Sequence, residues 1–176
     1  MPAKKTLNQQ SILKIANELG CNALSLPQIE KISVSVGLGQ HKENKEIVES
    51  IGKEVALITG QKPKSTVAKK SISGFKLREG QHIGYVVTLR GRRMWQFLDK
   101  LVSAVLPRVR DFDGINEKSI DSSGNLSFAL LEHSVFPEIS PDEVREAWGM
   151  TITLVLNKKA DKKYAKQYYQ SVGIVF

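Results

Sequence analysis

Residues able to do covalent or metal chemistry are few and scattered in this chain of 176 residues. The three histidines, His41, His82 and His133, lie far apart, and none has a carboxylate or second histidine at metal-ligand spacing. Isolated histidines of this kind ordinarily sit on the surface or in a satisfied hydrogen bond, so no metal is expected. Cys21 is the single cysteine, which excludes an internal disulfide and a cysteine-built zinc site. Gly37-Leu38-Gly39 has the start of a dinucleotide-binding turn but lacks its third glycine, and Thr59-Gly60-Gln61-Lys62-Pro63 lacks the spacing of a P-loop. The carboxylate pairs Asp111/Asp113 and Asp142/Glu143 have no apolar surroundings that would tune them for acid–base work. No nucleophile, base and orienting group come together. The chain is expected to be no enzyme and to need no cofactor; the alternative in that class is a small nucleotide-dependent enzyme using the Gly37–Gly39 turn.

The chemistry that does stand out is charge. The formal net charge is +8, and it is segregated. Met1–Gln61 is almost balanced, with 7 basic and 6 acidic residues, whereas Lys62–Arg110 holds 12 basic and 2 acidic, a net +10. Asp111–Glu146 reverses the sign with 2 basic and 9 acidic residues, and the remainder carries 5 basic and 1 acidic. A single-sign block within a folded region creates a field that draws a polyanion. Nucleic acid is therefore the expected partner of the basic block, which includes Lys62, Lys69, Lys70, Arg90 and Arg92. The acidic block points to a second, basic neighbour.

The elements that must position these residues follow from periodicity. Ile12, Ile15, Ala16 and Leu19 have one-sided helical spacing, with Gly20 as a stop, so an N-terminal helix is placed within residues 1–25. Lys31–Val36 alternates as a half-buried strand. Asn44 caps a helix with the stripe Ile47, Val48, Ile51, Val55 and Ile58, ending near Gly60. Thr66–Ala68 is a short strand, 71–81 a mobile basic loop, and His82–Arg90 an alternating strand. Met94–Val105 is the strongest helix, stopped by Pro107. Leu126–Leu131 and Thr151–Leu156 are further strands, Ser140-Pro141-Asp142-Glu143 is a capping box opening a short helix, and Ala160–Ser171 is a lysine-rich helix.

Length predicts one domain over residues 1–176, large enough to bury a core without metal or disulfide. Hydrophobic residues at 41% exclude wholesale disorder, and no apolar run approaches the roughly 18 residues of a membrane span, so no membrane is expected. The start of the chain has no apolar core behind Lys4 and Lys5, so no signal peptide is expected and a cytoplasmic setting follows. Strands and helices mix without a βαβ rhythm. The fold class is read as α+β: a mostly antiparallel sheet with helices packed on one face and the opposite, polar face open for RNA. That face would show Lys31, Ser33, Ser35, Thr88 and Arg90, small hydroxyls beside cations, suited to the 2′-hydroxyls and phosphates of an RNA minor groove.

Longer ordered blocks carry a resemblance. They are Leu57–Pro63, Ala68–Gly80, Val87-Thr88-Leu89-Arg90-Gly91, Leu106–Phe112 and Phe136-Pro137-Glu138-Ile139. In this order and spacing they resemble the bacterial-type ribosomal protein L-five family of the large subunit, from about Leu26 to the end of the chain. The resemblance implies an α+β protein that binds 5S rRNA and helps attach it to large-subunit rRNA in the central protuberance, beside other ribosomal proteins there. Ser35, Gln61, Thr88 and Arg90 match the family's RNA-contact positions, with Ser35 where the family usually has asparagine. Residues 71–81 resemble its finger to the P-site tRNA, with Ser71, Ser73, Gly74, Phe75, Lys76, Leu77 and Arg78 as contacts. In this sequence His82 stands where proline is more usual. The family also bridges to the small-subunit head protein S-thirteen, a role assigned here to Arg110, Asp111, Asp113, Asp142, Glu143 and Glu146. Trp148 stands on that edge where relatives often have a base. A ribosome-free RNA-binding regulator using the same surface is the remaining alternative.

Overall fold

A computed structural model describes residues 22–39, 44–140 and 146–176. The helix expected over Ile12–Gly20, together with Cys21, His41, Asp142 and Glu143, lies outside the described residues. Among the described residues there are five strands, β1 (Ile29–Gly37), β2 (Lys64–Val67), β3 (His82–Leu89), β4 (Leu126–Leu130) and β5 (Met150–Leu156), and three α-helices, α1 (Lys45–Thr59), α2 (Gly91–Lys100) and α3 (Lys162–Ser171). The strands form one antiparallel sheet in the order β2-β3-β1-β5-β4, an α+β fold as the alternating pattern implied. None of the described helices is long and apolar enough to cross a membrane.

The chain groups into two compact units, Ser33–Leu89 with Ala129–Ile152, and the described part of Met1–Ile32 with Arg90–Phe128 and Thr153–Phe176. In the first, Val34, Val36 and Val87 are buried from the strands, Leu38 from the residue after β1, and Val48, Ile51, Val55 and Ile58 from α1. Two glycines make this packing possible. A Cβ on Gly52 would come within 3.0 Å of the Tyr85 ring, so α1 crosses β3 where it has no side chain. A Cβ on Gly84 would sit 2.6 Å from the Val36 carbonyl oxygen, closer than any side chain tolerates.

Strand β2 begins at Lys64, two residues before the apolar pattern signals a strand. Its register is Lys64 with Val86, Ser65 with Tyr85 and Thr66 with Gly84, and it shifts before Val67 meets His82. An edge strand is held by backbone pairing on one side only, so its start need not be apolar.

The same unit holds a buried polar cluster that the sequence hides. His133 is 1% exposed, and its ring stacks on Trp148 at 4.4 Å between centroids. The Trp148 backbone N–H donates to His133 Nδ1 at 3.4 Å, and the indole Nε1 donates to Glu54 Oε2 at 2.7 Å. Ser50 Oγ donates to the other oxygen of Glu54 at 2.9 Å. His133 Nε2 lies 3.4 Å from Glu54 Oε2 without forming a hydrogen bond. Burial pushes the His133 pKa down, and the Glu54 carboxylate beside it only partly opposes that. Of the two settings expected for an isolated histidine, His133 therefore takes the buried one, accepting a hydrogen bond at Nδ1, and Trp148, 4% exposed, belongs to the core of its unit.

In the other unit Met94, Phe97 and Leu98 are buried from α2, while Ala165, Tyr168 and Tyr169 are buried from α3. The α-helical ladder does not run to Pro107 as the stripe suggested. It widens into a π turn over Leu101–Val105, then tightens to a 3-10 turn over Leu106–Arg108. Pro107 has no N–H, and its ring crowds the carbonyl four residues back, so the α ladder cannot pass through it. The buried tyrosines satisfy backbone groups: Tyr169 O–H donates to the Gly124 carbonyl at 2.9 Å, and Tyr168 Oη accepts from the Ile29 N–H at 3.2 Å. Each such bond adds about 1 kcal/mol net. Burial drives the hydroxyl pKa of Tyr164 and Tyr169 far upward, so both stay protonated donors.

Candidate nucleic-acid interface

In β1 the side chains alternate as the pattern requires. Ile32, Val34 and Val36 are buried, and Lys31, Ser33 and Ser35 between them are half-buried. In β3 Val87 and Leu89 are buried, and Val86 and Thr88 are half-buried. Among the described residues, the hydroxyls of Ser33, Ser35 and Thr88 have no hydrogen-bond partner. A hydroxyl carries one donor and two acceptor sites, so these strands hold unspent hydrogen-bonding capacity at fixed spacing.

Gln61 joins this set through the turn that ends α1. Gly60 takes a left-handed φ of 66°, and its N–H returns to the Ala56 carbonyl. Thr59 Oγ1 donates to the Val55 carbonyl at 2.7 Å, which ties the turn to the last helical bonds. Gln61 Nε2 then donates to the Thr88 carbonyl at 3.2 Å. The structure thus brings together Gln61 and Thr88, 27 positions apart in the chain. Lys62, Lys69 and Lys70 are exposed, as is Lys64 on β2, which the sequence reading passed over. Its signal was available: a fourth lysine within the same basic block.

Residues 71–81 are not a featureless loop. Ile72 and Leu77 exchange backbone hydrogen bonds at 3.0 and 3.1 Å around a 3-10 turn, Ser73–Phe75. Lys76 closes it in left-handed conformation at φ 50°, its N–H on the Ser73 carbonyl. At the base, Ser71 Oγ accepts from the Glu79 N–H at 3.0 Å, and Gln81 Oε1 accepts from the Arg78 N–H at 3.1 Å. No apolar periodicity announces such a closure, because backbone and short polar side chains make it. Ser71, Ser73, Gly74, Phe75, Lys76 and Arg78 are all exposed, whereas Leu77 is half-buried against a shallow pocket shared with Gly39, Phe75 and Ile83.

At the start of α2, Arg90 takes the N-cap position in extended conformation, and its side chain makes no capping bond. Arg90, Arg92 and Arg93 are exposed, and the first turn holds no acid. Arginines at a helix N-terminus oppose the helix dipole, so helix stability does not explain them. Among the acidic candidates, Arg110, Asp111, Asp113 and Glu146 are exposed, and Asp111 takes a left-handed φ of 51°. No group of three or more His, Cys, Asp or Glu side chains that could hold a metal ion occurs among the described residues.

A family profile described as "Ribosomal protein L5" matches residues 22–78, and a second profile, for the C-terminus of the same ribosomal family, matches residues 82–176. The chain belongs to the ribosomal protein L5 family. Relatives called "Large ribosomal subunit protein uL5" agree along their length. The one from Thermosipho melanesiensis is 47% identical, covering 100% of this chain and 97% of the relative. That from Bifidobacterium adolescentis is 44% identical over 98% of this chain and 91% of the relative. As a member of the L5 family, this protein is a structural, non-enzymatic constituent of the large subunit of the cytoplasmic ribosome. Association with ribosomal RNA is typical of the family.

Proposed function

We propose that this L5 family member binds 5S rRNA through the half-buried polar residues of its sheet, and so helps attach that RNA to large-subunit rRNA in the central protuberance. Lys31, Ser33, Ser35 and Thr88 meet sugar hydroxyls and phosphates in a wide, shallow RNA minor groove. Gln61, held on the Thr88 carbonyl, sets register. Lys62, Lys69, Lys70, Arg90 and Arg92 supply phosphate contacts, and with them a salt-sensitive binding constant. The 71–81 finger reaches the P-site tRNA with Lys76 and Arg78 on phosphate and the exposed Phe75 as a stacking surface. Arg110, Asp111, Asp113, Asp142, Glu143 and Glu146 face the basic head protein S-thirteen of the small subunit, where opposite fields orient the contact.

The observation that carries this function is that the hydroxyls of Ser33, Ser35 and Thr88 on β1 and β3 have no hydrogen-bond partner among the described residues, with Gln61 tied to the Thr88 carbonyl. Filter binding of the full chain to 5S rRNA, beside a control RNA of equal length, tests it. Preferential binding to 5S rRNA that weakens in Gln61→Ala and Arg90→Ala is expected. Equal binding to both RNAs, or variants that bind as the parent does, would remove these residues from the site.

A further inference from the structure

The basic stretch that closes the chain is absorbed by none of these surfaces. Helix α3 and the turn before it carry Lys158, Lys159, Lys162, Lys163 and Lys166 against one acid, Asp161. Buried Ala165, Tyr168 and Tyr169 fix which side of α3 faces its core. At 100° per residue, the outward arc is then made by Lys163, Lys166, Gln167 and Gln170, while Lys162 flanks it in the first turn. All of these are exposed except Lys166, which is half-buried and paired through Nζ with Glu117. Lys158 and Lys159 extend the exposed cations into the preceding turn.

Nothing in the helix offsets this charge. No carboxylate occurs anywhere between Lys162 and Ser171, and Lys162 and Lys166 repel each other at i, i+4 spacing. The cations also sit at the wrong end for the helix dipole: the first turn holds no acid, the last turn holds no base, and Asp161 makes no capping hydrogen bond. An outside anion accounts for a surface that helix stability opposes.

We infer that the exposed Lys158–Gln170 surface is a second RNA-binding surface of this protein, gripping ribosomal RNA by its phosphates and resting on the RNA-binding function proposed above. Lysine is a hydrated point charge on a flexible stem, and it follows a phosphate backbone without demanding one geometry. Gln167 and Gln170, farther along the same arc, offer amide donors and acceptors to sugars and base edges. An acidic protein partner fits less well. Protein interfaces centre on buried aromatic or arginine anchors, and this arc has neither; Tyr164, beside it, spends its O–H on the Pro27 carbonyl at 2.7 Å.

The test is the full-length triple variant Lys159→Gln/Lys162→Gln/Lys163→Gln, in filter binding to 5S rRNA and, separately, to protein-free large-subunit rRNA across a potassium chloride series. For at least one RNA the slope of log K against log salt should become shallower by about 2–3, with affinity near physiological salt falling roughly tenfold. The matching triple arginine variant should restore both. A melting temperature at or above that of the parent separates lost binding from lost fold. Parental affinity and slope on both RNAs would overturn the inference, whatever the variant does to binding of an acidic polypeptide. If Arg90→Ala weakens binding while the lysine variant does not, only this second surface falls; a parent chain that binds neither RNA brings down both functions.

Discussion

Helices α1 and α2 begin in opposite ways. At the start of α1, Asn44 Oδ1 accepts from the N–H groups of Glu46 and Ile47 at 3.1 and 3.4 Å, and Glu46 places a negative charge in the first turn. Every choice there favours the helix. At the start of α2 the N-cap is Arg90, no side chain caps, and Arg92 adds a cation where the dipole is positive. The first start obeys the local rules of helix formation; the second breaks them, as the proposed phosphate contacts would require, and the surrounding core absorbs the cost. Buried Met94, Phe97 and Leu98 make α2 tolerant of its own beginning.

The comparison breaks most visibly on charge reversal. Arg90→Glu/Arg92→Glu should lower 5S rRNA affinity on the order of a hundredfold, roughly 3 kcal/mol, with a shallower salt slope. Its melting temperature should not fall. Unfolding in step with lost binding would mean that these arginines serve the helix after all. Asn44→Ala is the converse case: denaturant titration should report a loss of about 1 kcal/mol, while the folded variant binds RNA as the parent does.

Titration sharpens the contrast between polar groups that serve the fold and those proposed to meet RNA. The folded protein holds the His133 pKa below its ordinary 6.5, so the unfolded chain takes up the proton first. Stability is therefore complete above about pH 6.5 and declines as pH falls towards the depressed folded value. Melting curves between pH 8 and pH 5 (both approximate working limits) should show that decline, and His133→Gln should flatten it. No flattening would place the acid-sensitive group elsewhere. The smallest effect is expected from Arg92→Gln alone, a gain of about 0.3–1 kcal/mol in low salt that shrinks as salt is added.

What could be read in advance tracks how local the cause is. Asn44, the Val48–Ile58 stripe and Gly60 specify α1 within their own segment, and the alternation of Ile32, Val34 and Val36 specifies the buried face of β1. The half-buried positions of Ser33, Ser35 and Thr88 were legible for the same reason, since they are what alternation leaves between the buried residues. The start of β2 at Lys64 was hidden because only its pairing with Val86 makes it a strand. The burial of His133 and Trp148 could not be read in advance because Glu54, which meets both, stands far back in the chain. The closed finger at 71–81 depends on Ser71, Lys76 and Gln81 meeting backbone groups, which composition does not disclose. Charge segregation, by contrast, needed no structure at all.

The most direct measurement attaches a photo-crosslinker, in a Cys21→Ser background, to Ser35→Cys on β1 and, in a second preparation, to Lys53→Cys on the exposed side of α1. Each is then irradiated on bound 5S rRNA. Crosslinks from position 35 at discrete nucleotides, with none from position 53, are expected. RNA captured from α1 while β1 stays silent would contradict an RNA grip by the sheet.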